Sequence, residues 1–208
     1  HLLYNDVKYG LLVPAPPKHS DREILDRAVR RFWVGGYGAT TIRDLERALD
    51  LSAPSIYHRF ADKEALFLRV VDHYVETVIE ARIASYLGAS ADPVVDLYRF
   101  FRTAQSPNGC LLTTTAVELG PSSSLIRARV ERGFDAMRAG ILGDARRAHA
   151  QGATAEDPDD VSNALLVDMQ GLMVLSRLGL PGDALRERTR VVFASRFGDA
   201  FRPRERRG

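Results

Sequence analysis

Residues 40–60 read TTIRDLERALDLSAPSIYHRF, and the way this stretch divides decides the fold. Thr41-Ile42-Arg43-Asp44 has the pattern of a capping box, in which a hydroxyl takes a backbone N–H and an acidic side chain reaches back. It opens a short helix over 41–48 with Ile42, Leu45 and Ala48 inward. Ser52 caps a second helix over 52–59, where Pro54 is harmless because first-turn N–H groups have no acceptor inside a helix. Leu49-Asp50-Leu51 between them is a turn of helix-turn-helix length. Asp50 lies in that turn, and aspartate tolerates positive φ better than most side chains.

The second helix is poor in large aliphatics. Ile56 and Phe60 point inward; Ala53, Pro54, Ser55, Tyr57, His58 and Arg59 fill the rest. A core helix would be greasier, whereas a helix lodged in the major groove needs small or hydrogen-bonding side chains outside. The flanks suit phosphate. Thr41 and Ser52 present hydroxyls and free N–H groups at helix N-termini, Tyr57 offers a phenol at the helix edge, and Lys63 sits at the next helix start. Arg43 has the reach for a guanine O6/N7 fork.

Outward from this segment, helical periodicity continues in both directions. Ser20-Asp21-Arg22-Glu23 is a second capping box, followed by Ile24, Ala28, Val29 and Phe32 on one face and a stop at Gly35-Gly36. Asp62 caps a helix running to about Leu87, and Asp92-Pro93 begins another. Residues 110–119 and 122–151 follow, the latter with Gly152 as a C-cap. Asp157-Pro158 starts a helix over 158–178, and Asp183 caps the last one, to about Phe201. The reading is all-α, with nine helices: a flexible arm (1–19), a three-helix head (20–65), a larger helical body (66–201) and a basic tail (202–208).

Bulk composition agrees and narrows the class. Of 208 residues, 45% are hydrophobic and 27% charged, enough apolar content for a buried core. The formal charge is only +2, and over 20–63 eight Lys/Arg face seven Asp/Glu, so DNA affinity rests on charge placement and dimerisation. One cysteine excludes an internal disulfide and fits a reducing cytoplasm. No apolar run reaches the roughly 18 residues of a membrane span, so no membrane partner is expected. The G-x-S-x-G, P-loop and H-E-x-x-H patterns are missing, and the histidines are scattered, so neither an enzyme nor a metal or other cofactor is expected.

The run ILDRAVRRFWVGGYGATTIRDLERALDLSAPSIYHRFADKEALFLRVV, residues 24–71, closely resembles the DNA-binding head of the tetracycline-repressor family. The likeness is carried by Phe32, the Gly36-Tyr37 turn, Thr40-Thr41, SAPSIYHRF and DKEALF; the family's usual turn glycine is replaced by Asp50. It implies a homodimeric repressor that grips a palindromic operator and leaves it when a small molecule binds the body. By position it puts phosphate contacts on Thr41, Tyr57 and Lys63, and base contacts on Arg43, Ala53, Pro54, Ser55 and His58.

NGCLLTTTAVELG (108–120) and LLVDMQGLMVLSRLG (165–179) resemble C-terminal domains of part of that family. The implied effector pocket among the middle helices makes Phe101, Cys110, Thr114, Phe134, Met137, Met169 and Met173 lining candidates, against ordinary core packing. The helix over 158–178 is apolar nearly all round, and such a helix is buried on several faces. Val161, Ala164, Leu165, Gly171, Leu172 and Leu175, with Leu185 and Val192 of the last helix, are therefore expected at a four-helix dimer interface. Two alternatives stand beside this reading. Cys110, at a helix N-terminus, could be an oxidant- or electrophile-sensing thiol, or the chain could be an all-helical interaction module that binds no DNA.

Overall fold

A computed structural model describes residues 19–103 and 106–201. The expected arm, His19 excepted, and the tail from 202 lie outside the described residues. What is described is helical throughout: α1 (Asp21–Gly35), α2 (Ile42–Leu49), α3 (Ala53–Phe60), α4 (Lys63–Tyr74), α5 (Ala81–Tyr86), α6 (Pro93–Thr103), α7 (Leu111–Leu119), α8 (Ser124–Ala150), α9 (Pro158–Arg177) and α10 (Gly182–Phe197). A π-helical segment, Val75–Glu80, joins α4 to α5 without a break, so the described residues form nine helical rods. The π geometry was not expected; there Thr77 Oγ1 donates to the His73 carbonyl at 2.6 Å, and such insertions alter a helix's repeat.

The starts follow the capping chemistry. Ser20 and Thr41 each form both halves of a capping box, and Ser52, Asp62 and Asp157 each accept first-turn amides. Asp50 closes α2 in the left-handed region at φ 56°, ψ 45°. The last helix departs from expectation: Pro181, not Asp183, occupies its N-cap and supplies no side-chain bond, and α10 ends at Phe197 before a 3-10 turn, Gly198–Ala200.

Ala61, between α3 and α4, has φ 66° and ψ −57°, which an alanine side chain disfavours. Ala61→Gly is expected to stabilise the chain by about 1 kcal/mol, since glycine meets no Cβ clash there. Thermal unfolding checks this; a lower midpoint would show that Ala61 is unstrained.

The core runs through both halves. Ile24, Phe32, Leu45, Leu49, Ile56, Leu66 and Phe67 are buried in the head, and Phe101, Met137, Ile141, Leu165 and Phe193 in the body. Phe193 meets Tyr98, Phe101, Phe197 and Phe201 at ring-centroid distances of 5.0–5.6 Å, which seats α10 on α6.

The residues expected at a dimer face divide between core and surface. Val161, Leu165, Leu172 and Leu185 are all at most 6% exposed and fill the chain's own core. Ala164, Leu175 and Val192 are half-buried, and Gly171 is exposed with open space beyond it. The outward stripe of α9 instead carries Val167, Val174 and Leu178, with Val191 exposed on α10.

Candidate nucleic-acid interface

α2 and α3 pack against each other in the head. Ile56 is fully buried and Phe60 3% exposed, and these two anchor α3 to the core. The opposite side stands free: Pro54, Ser55, Tyr57 and His58 are exposed, Tyr57 at 45%, with Ala53 half-buried beneath them. On α2, Arg43 and Arg47 are exposed. The face offered outward holds no bulky aliphatic, which lets a helix backbone approach base edges.

The helix N-termini are less free than the sequence suggested. Thr41 donates both its N–H, at 2.9 Å, and its hydroxyl, at 2.7 Å, to the Asp44 carboxylate. Those bonds, with Arg31 at 3.1 Å, hold the Asp44 carboxyl well below the usual carboxylate range. At α3, Ala53 N–H donates to Glu46 Oε1 at 2.6 Å, and Ser52 Oγ shares a hydrogen bond with Ser55 Oγ at 2.9 Å. Side-chain carboxylates of Asp44 and Glu46 thus occupy donors at the starts of both helices. Lys63 is also engaged: its Nζ lies 4.1 Å above the Tyr37 ring, and burial pulls its ammonium below its ordinary value while Glu118 pulls the other way.

The head is joined to the body by contacts that local sequence does not announce. His73 of α4 meets Asp26 of α1 at 2.6 Å. Trp33 Nε1 donates to the Gly109 carbonyl at 3.0 Å, and Arg177, ending α9, donates to the carbonyls of Asn108 at 2.7 Å and Trp33 at 3.2 Å. Glu118, near the end of α7, accepts from the Tyr37 and Gly38 amides. These partners lie 47 to 144 residues apart, beyond the reach of any helical period; an arginine closing a helix was the only visible signal.

In the body, Phe101, Cys110, Met137, Met169 and Met173 are each at most 2% exposed, and Thr114 and Phe134 are half-buried. Together they form packed core. A cavity of about 940 Å³ lies on the other side of α6, bordered by Tyr86, Tyr98, Arg102 and Phe201, and none of the seven lines it. Cys110 precedes α7, with its Sγ 3.9 Å from the Tyr74 hydroxyl. A sensing thiol must be reachable; at 2% exposure this one gives the oxidant-sensing alternative no support. Among the described residues no cluster of three metal-ligating side chains occurs, and no helix is long and apolar enough to cross a membrane.

Residues 24–70 match the family described as bacterial regulatory proteins, tetR family, and residues 87–192 match the tetracyclin repressor-like C-terminal domain. The chain belongs to the tetracycline-repressor family. Within it, the chain is similar to the HTH-type transcriptional repressor ComR of Escherichia coli (strain K12), with 33% identity over 51% of this chain and 55% of that protein, about half its length. The repressor DhaR of Mycobacterium sp. (strain GP1) is 23% identical over 83% of this chain and 89% of its own length. Two solved structures of family members share the fold. The CifR cysteine mutant complexed with 26bp double-strand operator DNA superposes with a TM-score of 0.77 at 22% identity, over 88% of this chain and 99% of that one. A TetR regulator from Chloroflexus aurantiacus J-10-FL gives 0.73 at 27%, over 83% and 92%.

Proposed function

We propose that this family member is a homodimeric, sequence-specific repressor that binds a palindromic operator through α3 and leaves it when a small molecule enters the body. The observation that carries the reading is the two-sidedness of α3, held by Ile56 and Phe60 and bare of aliphatics outside. The CifR relative was solved on operator DNA, in keeping with a DNA-binding transcriptional regulator rather than an interaction module. Residues 20–65 act as the head and 66–201 as the body, in the cytoplasm, where the chromosome lies.

The contact roles divide in two. Thr41, Ser52, Tyr57 and Lys63 hold phosphates; Arg43, Ala53, Pro54, Ser55 and His58 meet base edges. The effector seat lies among Phe101, Cys110, Thr114, Phe134, Met137, Met169 and Met173, which must part to admit a ligand; methionine suits such repacking. Beside them, Gln170 Nε2 is buried without a hydrogen-bond partner, a donor for a polar group on the effector. The second copy docks on the exposed stripe of α9 and on α10, as a two-half-site operator with centres about 34–36 Å apart requires.

The test is a footprint on inverted repeats in the DNA flanking the gene, with the salt dependence of the complex. Tyr57→Phe and Lys63→Ala are expected to weaken binding on every sequence. Arg43→Ala and His58→Ala should instead relax base preference, at about 1–3 kcal/mol per contact. Equal losses from all four on operator and random DNA would overturn the assignment of roles. No preference for any duplex would overturn the function.

A further inference from the structure

Where the body meets the reading head, one carboxylate from the body takes two amides of the head. Glu118 of α7 accepts from the Tyr37 N–H at 2.9 Å and from the Gly38 N–H at 2.5 Å. Both amides belong to the turn joining α1 to α2, and three residues beyond it Thr41 caps α2. The turn also carries the Tyr37 ring against which Lys63 is stacked. A single side chain of α7 therefore holds the loop that sets the start of α2 and the seat of Lys63.

The seat fits a carboxylate and nothing larger on the head side. A Cβ on Gly36 would lie 3.2 Å from Glu118 Oε2, and one on Gly38 would lie 2.8 Å from Oε1. Gly36 also has φ 76°, so glycine is required there on two counts. Gly38 is outside the left-handed region, and only the Glu118 side chain lies within 4 Å of its missing methyl. An alanine at 38 would displace the carboxylate and disturb nothing else.

We propose that Glu118 is a positioning residue for DNA reading: through its two amide contacts, α7 sets the orientation of α2 and α3, so that rearrangement of the body reaches the head at this point. The inference rests on the operator-binding reading of α3. Bidentate acceptance fixes an angle as well as a distance, since both oxygens must stay in reach of adjacent amides. Arg177 grips the end of α1 independently from α9, so loss of Glu118 frees the turn without detaching the head.

The test compares Glu118→Ala, Gly38→Ala and the double variant, approaching the contact from its two sides. Each single change is expected to lower operator affinity about tenfold and random-sequence binding by clearly less, with amide exchange at Tyr37 and Gly38 accelerated. The double variant should lose no more than either single, because an alanine at 38 has already expelled the carboxylate. Additive losses would overturn the proposal, as would unchanged operator affinity once those amides exchange freely. A uniform gain on all DNA would show that Glu118 acts only as a repelling charge, which also overturns it. Should Glu118→Ala misfold, Gly38→Ala decides alone. If the unmodified protein prefers no inverted repeat while the exchange results hold, it is the operator reading that has failed.

Discussion

Replacing Val167 and Val174 together by glutamate is expected to yield a folded monomer whose operator affinity is lower by at least about a hundredfold. The two lie seven residues apart, two helical turns, so they share one face of α9. They are 70% and 47% exposed in the single chain, and Leu178 at 78% extends the stripe. Between them Gly171 has nothing within 4 Å of its missing Cβ, so a partner backbone can come close. Substitutions at such positions alter the fold of one chain by only about 0.5 kcal/mol. In a dimer, however, the four carboxylates would be desolvated without partners, which costs several kcal/mol. Losing the dimer removes the tether between two half-site contacts, whose effect on avidity is about 10²–10⁴. Light scattering reports the mass and mobility shift the affinity. A variant that remains a dimer with full operator affinity would place the interface elsewhere.

Arg147→Ala is expected to be the most destabilising change in the body, at about 3–5 kcal/mol near neutral pH. Asp96 is fully buried and Asp144 2% exposed, and one guanidinium serves both, at 3.5 Å and 2.5 Å. The same arginine donates to the Ser90 carbonyl, while Asp96 takes the Ser90 amide and Asp144 the Gly88 amide. This cluster pins the loop between α5 and α6 onto α8. Burial already pushes the Asp144 carboxyl up, ahead of the opposing pull from Gly88 and Arg147. A carboxyl raised in the folded state favours folding below its unfolded pKa, and that contribution fades as pH climbs through the raised value. Without Arg147 the Asp144 carboxyl rises further, so the deficit should be largest at pH 7 and shrink toward pH 4. For a chain this long the midpoint should fall by roughly 6–20 °C at neutral pH. An equal deficit across that range would show that the arginine matters for packing and not for charge.

The head was legible in the sequence to the level of individual bonds. The boxes at Ser20 and Thr41, the serine cap of α3 and the left-handed Asp50 involve partners within a few residues, and chemistry at that range is written locally. Ile56 and Phe60 faced inward because a short helix with two large apolar side chains has only one way to bury them. The Thr41 N–H and hydroxyl are taken by Asp44 three residues on, within the same capping box.

α9 shows where such reading ends. Its apolar side chains encircle the helix, so periodicity announces several buried faces without saying which neighbour takes each. Packing against α8 claimed Val161, Leu165 and Leu172 for the chain's own core and left Val167 and Val174 outside. The Glu118 clasp and the Arg177 grip likewise join residues 69 to 144 positions apart. The chain alone determined most of its helices, the caps of the head and the outward chemistry of α3, because each depends on neighbours within a turn. Only tertiary structure decided which face of α9 stays exposed and how head and body join, because both depend on which distant surfaces meet.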